Sequence, residues 1–277
     1  MSLMLKLSTL ALTATIALNA NFNLEEYVKK DLIKNPKIKV NSVKLLGKKD
    51  VPNQPDWKAY MFMMNLNVQG KDDNFPETIF VNEKANITAM SFYDMKNHKL
   101  INKNQFKPEI KDDSYYQDSH LIYGKKDAPH KLVVFSDPQC PFCKQTVPGI
   151  IKDVKEHPDT FALYYYHMPL KQIHPVSDTL TKVMEVLQKK GKIEDALKMY
   201  KLNISYKETD QDKILAAIKK QFDINVTKDE INKPEIAEQI KKDMDKANGV
   251  MLSGTPTIYL DGKFSKTPAE YKKYIKK

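Results

Sequence analysis

The chain of 277 residues contains no arginine, so all of its basic side chains apart from histidine are lysines. Its formal net charge of +10 at pH 7 would on its own suggest a nucleic-acid-binding protein. Base edges and phosphates are usually bound by the planar guanidinium fork, which lysine does not reproduce. The lysines are also spread along the whole chain among aspartates and glutamates. The composition therefore predicts a solvated basic surface and no nucleic-acid partner.

Long apolar runs are also missing from the interior of the sequence, where none approaches the roughly 18 residues that a membrane-spanning helix needs. With 41% hydrophobic and 29% charged residues, the composition is typical of a soluble globular protein. The length favours two domains, each able to bury its own core.

Residues 1–20 differ from the rest of the chain. Lys6 precedes an apolar run from Leu7 to Leu18, and Asn19 and Ala20 follow it. This pattern predicts a secretory signal peptide that is cleaved near Ala20, and hence an oxidising compartment for the mature protein. The alternative, a buried N-terminal helix, is disfavoured because the run has no amphipathic period.

Cysteine is scarce, and its two copies form one motif. Cys140 and Cys143 are separated by two residues. A disulfide across so short a gap closes almost no loop and so adds little stability. A structural zinc site needs four ligands, and the sequence offers neither a second C-x-x-C nor a paired histidine motif. The pair is therefore predicted to be redox-active, with no metal and no cofactor.

Residues 21–101 are predicted to form a small α+β domain. Apolar positions between Leu24 and Ile33 have helical spacing. The domain has no cysteine or acid-base set, so its predicted role is to assemble the protein or to present the other domain. Four runs rich in β-branched and aromatic residues predict an antiparallel sheet, at 39–43, 60–68, 78–81 and 87–93.

A polar segment at 102–123, with few candidates for burial, is predicted to be a linker and a possible hinge. Residues 124–277 are predicted to form an α/β domain. An apolar strand at 131–136 runs into the cysteine motif and a helix, and a second strand follows at 161–166. Strands joined by a crossover helix usually lie parallel.

The rest of this domain is predicted from composition and turn signals. Residues 176–248 are lysine-rich and periodic, which indicates an inserted helical segment broken at Gly191 and Pro234. A strand at 257–260, an Asp-Gly turn and a helix at 268–275 complete the chain.

The cysteine spacing suggests a division of labour. A thiolate is the attacking species in disulfide exchange, and free cysteine, with a pKa of about 8.5, supplies little of it at neutral pH. Cys140 is predicted to lie at a helix N-terminus, where backbone N–H groups and the helix dipole stabilise negative charge. Cys143, one turn further on, is predicted to be shielded and to act as the resolving thiol.

These residues resemble a known family. The stretch from Val134 to Lys144 is similar to the active-site strand and helix start of the bacterial Dsb proteins of the thioredoxin superfamily. Pro148 matches the proline that kinks the active-site helix in thioredoxins. Gly254-Thr255-Pro256-Thr257 resembles the cis-proline loop that faces the active-site disulfide.

The domain order is similar to that of the dimeric DsbC and DsbG proteins. The resemblance implies a thioredoxin-like α/β domain with a helical insertion, preceded by a cystatin-like α+β dimerisation domain. It also implies a periplasmic homodimer that acts on exported client proteins, together with a membrane partner that is either a DsbD-like reductant or a DsbB-like oxidant. Pro141 and Phe142 would form the active-site environment, and Thr255 and Pro256 would bind the client.

The sequence departs from the family pattern at two positions. Phe142 replaces the histidine of DsbA-type motifs, which removes one neighbour that stabilises the thiolate. Val134 occupies the position of the buried acid in thioredoxin. His167 and His174 follow the second core strand and are interpreted as packing or solvent-facing residues.

Three functions stay open at this point. A disulfide isomerase or reductase is preferred because a two-armed dimer suits the holding of misfolded clients. A disulfide oxidase is the second hypothesis, and a chaperone-like client binder with a vestigial redox pair is the third.

Overall fold

A computed structural model of the chain describes residues 22–275, so the predicted signal segment at 1–20 lies outside the described residues. Within the described part of the chain, no helix is both long and apolar enough to cross a membrane. Two main sheets organise the fold, one with four strands in the N-terminal part and one with five strands in the C-terminal part.

The N-terminal part consists of a short helix and an antiparallel sheet. Helix α1 (Leu24–Tyr27) begins after Asn23, whose side chain accepts a hydrogen bond of 3.1 Å from the backbone N–H of Glu26, and it continues as a π-helical turn over Val28–Leu32. The predicted helix and sheet are therefore confirmed. The sheet order is β1 (Ile38–Val51), β2 (Gln54–Val68), β3 (Lys71–Asn82) and β4 (Ile87–Ala89).

A core of its own holds this sheet against α1. Val28 in the π-helical turn is fully buried, and so are Phe62 on β2 and Ile79 on β3, which belong to the same cluster. A two-stranded hairpin, β5 (Tyr93–Asp94) and β6 (Lys99–Leu100), follows the sheet. The run predicted as one strand at 87–93 is thus divided between β4 and β5.

The segment at 102–123 differs from the prediction of an exposed linker. Phe106, Ile110 and Tyr115 are buried, with 4, 7 and 6% of their surface exposed. Single apolar side chains among charged ones are enough to anchor the segment, because each inserts between neighbouring elements. The prediction of few buried residues is therefore wrong. Three short 3-10 turns shape the segment, at Lys103–Gln105, Asp113–Tyr115 and Asp118–His120.

The C-terminal sheet is mixed. Strand β8 (His130–Ser136) lies parallel to β9 (Phe161–His167), and helix α2 (Pro141–Glu156) makes the crossover between them, as predicted. Strand β7 (Leu121–Gly124) pairs antiparallel with β9, so this sheet begins before residue 124. Strand β10 (Thr257–Leu260) pairs antiparallel with β8.

Helices fill the chain between β9 and β10, which confirms the predicted helical insertion. Gly191, with φ of +70°, separates α3 from α4, and Pro234 is the first residue of α7. The helices are α3 (Val176–Lys189), α4 (Ile193–Leu197) with a 3-10 turn at Lys198–Lys201, α5 (Gln211–Phe222), α6 (Lys228–Ile231) and α7 (Pro234–Gly249).

The C-terminal hairpin has the predicted turn. Asp261 and Gly262 both have positive φ, 51° and 76°, as a type I′ turn between β10 and β11 (Lys263–Phe264) requires. The helix predicted at 268–275 is present as a 3-10 helix at Glu270–Tyr274, shorter than the predicted range. So short a segment holds few helical hydrogen bonds, and Tyr271 is instead anchored by its hydroxyl, which donates a 2.6 Å bond to Asp153.

Candidate active site

Cys140 lies at the end of the turn between β8 and α2. It is the N-cap of the helix, with extended backbone angles (φ −64°, ψ 124°), and its carbonyl accepts a 3.0 Å hydrogen bond from the N–H of Lys144. Pro141 is the first helical residue, where a missing N–H costs nothing because that group has no partner within the helix. The predicted position of Cys140 at a helix N-terminus is confirmed.

Cys143 lies one turn into α2 and is fully buried, whereas Cys140 retains 5% of its surface exposed. Burial raises the pKa of the Cys143 thiol, because a thiolate loses its hydration there. Phe142, between the two, is 69% exposed, so the motif presents an apolar ring to solvent. Of the two cysteines, only Cys140 has any surface exposed to solvent.

The loop before β10 faces Cys140. The peptide bond between Thr255 and Pro256 is cis, as the resemblance implied. Antiparallel pairing of β10 with β8, with Thr257 opposite Phe135, brings this loop to the end of β8. The Cys140 Sγ donates a 3.3 Å hydrogen bond to the carbonyl oxygen of Thr255. The structure thus brings together all six residues predicted for the site, Cys140, Pro141, Phe142, Cys143, Thr255 and Pro256.

Asp137 is a residue of the site that the sequence interpretation missed. Its side chain is fully buried at the end of β8. It accepts hydrogen bonds from the backbone N–H of Gln139 (2.7 Å) and Leu170 (2.9 Å) and from the hydroxyl of Ser177 (2.6 Å). The Asp137 carbonyl accepts a further 3.2 Å bond from the N–H of Cys140. The carboxylate therefore fixes the turn that carries Cys140. In the sequence, the Asp137-Pro138 pair just before the motif was the signal that could have indicated this role.

The two histidines have different environments. His174 Nδ1 lies 3.1 Å from the Asp137 carboxylate, so this residue takes part in the hydrogen-bond network at the end of β8. The loop after β9 folds back over the end of β8, which the sequence did not reveal. His167 is buried, and burial lowers its pKa to about 4. The packing interpretation fits His167.

The site offers no arrangement for a metal ion. Within residues 22–275, no three side chains of the histidine, cysteine, aspartate or glutamate type are grouped to hold one. The chemistry available at this site is that of two sulfurs, a helix N-terminus and a backbone carbonyl.

Comparison with protein families identifies the C-terminal part of the chain. The family model described as "Thioredoxin" matches residues 116–277. A thioredoxin-like oxidoreductase from Silicibacter pomeroyi DSS-3 has a similar structure, with a TM-score of 0.51 and 17% sequence identity, over 60% of this chain and 96% of that chain. At this identity the likeness supports the fold.

Curated relatives match about half of the chain. The "Probable disulfide bond formation protein D" of Bacillus cereus is 28% identical over 152 residues, which are 50% of this chain and 68% of that protein. The "Na(+)/H(+) antiporter NhaA 1" of Mycobacterium sp. (strain KMS) is 30% identical over 152 residues, which are 53% of this chain. The match spans only 24% of the antiporter. Because the family match covers more than half of the chain, and β7 to β11 with α2 form the expected sheet and crossover, the chain belongs to the thioredoxin family.

Proposed function

We propose that the protein is a thiol:disulfide oxidoreductase that acts on cysteine-containing exported proteins. The observation that carries the proposal is the placement of Cys140 at the N-terminus of α2, with its sulfur 3.3 Å from the Thr255 carbonyl beside the cis proline and with Cys143 buried one turn away. Two-step disulfide exchange requires an attacking thiol that a client can reach and a shielded resolving thiol, and of the two cysteines only Cys140 keeps some exposure.

In the first step, the Cys140 thiolate attacks a client disulfide. One client sulfur becomes bonded to Cys140, and the other leaves as a thiolate that takes a proton from water. Unpaired N–H groups of the first turn of α2 stabilise the Cys140 thiolate before the attack. The Thr255 carbonyl lies beside the same sulfur, and Thr255 and Pro256 would hold the client strand.

We favour isomerisation or reduction as the direction, with the two-domain arrangement as support. The N-terminal part has its own core and contains neither cysteine, so its role would be to assemble a homodimer with a client cleft. Oxidation is the second candidate, because the name of the Bacillus cereus relative refers to disulfide bond formation. The export signal at 1–20, a periplasmic location and a membrane redox partner belong to the same proposal.

The variant Cys140→Ala tests this function in the full chain. We expect it to lose insulin reduction and the refolding of scrambled ribonuclease, while Cys143→Ala accumulates mixed disulfides with clients. Phe142→Ala is the matched control in the same turn and should retain both activities to a large extent. An unchanged anti-aggregation effect in Cys140→Ala, with no reductase activity in the wild type, would contradict the proposal and favour the client binder.

Thiol trapping in cells decides the direction. Isomerisation or reduction predicts that Cys140 and Cys143 are mainly reduced, because a membrane reductant would have to supply electrons. A mainly oxidised pair would contradict that direction and support the oxidase.

A further inference from the structure

Lys107 is a buried lysine in the connecting segment at 102–123. It keeps only 6% of its surface exposed, which is unusual for a lysine. Within residues 22–275 its ammonium group pairs with no carboxylate, and burial lowers its pKa because the charged form loses its hydration. A buried ammonium is costly unless its N–H groups find acceptors. The positions of those acceptors therefore indicate the role of the side chain.

Both acceptors of the Lys107 ammonium lie in the chain just before the cis proline. The Lys107 Nζ donates a 2.5 Å hydrogen bond to the carbonyl oxygen of Met251 and a 3.2 Å bond to the hydroxyl of Ser253. Met251 has φ of +52°, a backbone conformation that residues other than glycine rarely adopt. Because hydrogen bonds from a charged donor are strong, the bond to its carbonyl helps to hold this turn. The ammonium therefore holds the entry to the cis-proline loop at two points.

The N-terminal part holds the same entry by packing. Met251 is 6% exposed and belongs to a buried cluster that also contains Phe80 of β3 and Phe106 of the connecting segment. Lys107 follows Phe106 directly in the chain, so packing and hydrogen bonding act at adjacent positions. Both lie before the residues 116–277 that match the thioredoxin model. The entry to the cis-proline loop is thus fixed from outside the matched domain.

The loop leads from this entry directly to the reacting sulfur. Residues 252–256 belong to no helix or strand. On the far side, the Thr257 hydroxyl donates a 2.7 Å bond to the Gly254 carbonyl, and β10 begins at Thr257. Between the two anchored ends, the Thr255 carbonyl accepts the 3.3 Å bond from Cys140 Sγ. A displaced entry would therefore move the Thr255 backbone relative to the Cys140 sulfur.

We propose that Lys107 is a positioning residue that holds the cis-proline loop where it binds a client strand beside Cys140. This inference rests on the proposed function and deepens it, since it gives the connecting segment a part in client recognition. Capture of a peptide depends on the backbone of the loop, whereas the reactivity of the Cys140 sulfur toward a small disulfide depends on the start of α2. Loss of Lys107 should therefore slow exchange with peptides selectively.

Two disulfides measure these two properties in the full chain. Ellman's reagent has no peptide backbone to pair with the loop, and a cystine-containing peptide has one. Each reacts with the reduced protein on the pH plateau of its rate, so that a change in thiol ionisation does not enter the comparison.

Lys107→Met keeps a long side chain but removes the N–H donors and leaves no unpaired charge. We expect its reaction with the peptide to be roughly tenfold slower, the loss expected when one hydrogen bond to a charged group is removed. The half-saturating peptide concentration should rise while the maximal rate stays nearly constant, because binding is affected and chemistry is not. The rate with Ellman's reagent should be unchanged.

Ser253→Ala tests the same contact with Lys107 in place. Ser253 is exposed, so this variant should fold normally, and it removes one of the two acceptors. We expect a smaller loss with the peptide, and the double variant should be no slower than Lys107→Met, because the two side chains act through one contact. Should Lys107→Met not fold, an unchanged peptide rate in Ser253→Ala contradicts the proposal.

Lys103→Met is the matched control in the same segment. Lys103 pairs with Glu77 of β3 at 3.0 Å, away from the cis-proline loop. This variant makes the same chemical change as Lys107→Met and should leave both rates unchanged.

Four results would overturn the proposal. Equal slowing with both disulfides in Lys107→Met would indicate general damage to the site, and an unchanged peptide rate would remove the role of Lys107. Additive losses in the double variant would mean that Ser253 contacts the client by itself, and an equal loss in Lys103→Met would remove specificity. Failure of the proposed function is distinguishable, because the wild type would then react with Ellman's reagent but not with the peptide disulfide.

Discussion

At the scale of single residues, the site depends on buried polar groups that a hydropathy pattern does not mark. Asp137 receives three hydrogen bonds from the described chain in addition to its contact with His174, and it would be costly to bury without them. Its partners come from the turn itself, from the loop after β9 and from α3. The carboxylate therefore links three segments at the point where Cys140 begins the helix.

His167 leads to a prediction about pH. Burial lowers its pKa from 6.5 to about 4, so between these values the unfolded chain binds more protons than the folded chain. Stability must therefore fall as the pH falls from 6.5 toward 4, and we expect a loss of roughly 2 to 3 kcal/mol in the free energy of unfolding. The measurement is urea unfolding across this range.

The variant His167→Gln separates this effect from other titrations. Glu185 approaches the ring at 3.7 Å, and its own pKa is raised by burial, which makes stability fall as the pH rises above its unfolded value. Asp243 and His120 also influence the pKa of His167. Because Glu185, Asp243 and His120 all remain in His167→Gln, a pH dependence of stability equal to that of the wild type would contradict the assignment to His167.

At the scale of elements, two glycines show how position decides the effect of one substitution. Gly262 has φ of +76°, and a Cβ there would lie 2.5 Å from the carbonyl oxygen of Ile110. Gly149 lies inside α2, and a Cβ there meets nothing within 4 Å. The hairpin turn therefore excludes a side chain, whereas the helix has room for one.

The paired variants Gly262→Ala and Gly149→Ala test this difference. We expect Gly262→Ala to lower the free energy of unfolding by at least about 1 to 2 kcal/mol, from strain at positive φ and the clash with the connecting segment. Gly149→Ala should raise it by about 0.5 to 1 kcal/mol, because alanine is the better helix former. Chemical unfolding of both variants measures the effect, and a change of the same sign in both would contradict the explanation.

At the scale of the whole molecule, exposed apolar side chains are concentrated in the N-terminal part. Among the described residues, seven of the ten large hydrophobic side chains that are exposed lie between Leu45 and Leu100. The hairpin of β5 and β6 carries two of the most exposed, Met95 at 76% and Leu100 at 62%. Apolar surface of this kind is typical of contact regions, which supports the proposed role of this part in assembly.

We therefore expect a homodimer in solution at micromolar concentration, measured by size exclusion with light scattering. Replacing Met95 and Leu100 together with Asp should shift the protein toward the monomer and lower isomerase activity. Ile173→Asp is the control, since Ile173 is 58% exposed but lies in the C-terminal part. A wild-type monomer would remove the argument for a two-armed isomerase, while leaving disulfide exchange at Cys140 possible.

The sequence was sufficient where the signal is local. The spacing of Cys140 and Cys143 predicted a helix N-terminus with one sulfur at its start, because a strand, a turn and a proline at the first helical position fix that geometry over a few residues. The Asp261-Gly262 turn was predictable for the same reason, since its two positive φ angles are a property of two residues. The helical insertion followed from periodicity alone.

Only the tertiary structure decided which distant groups meet. Burial of Phe106 and Tyr115, the partners of Asp137 and the line of hydroxyls from Tyr165 through Tyr200 to Ser136 all join residues far apart in the chain. A hydrogen bond or a packed side chain depends on distances of a few ångströms, which the pairing of strands and the return of loops set. The sequence alone thus identifies the two cysteines, whereas the fold determines the environment of Cys143.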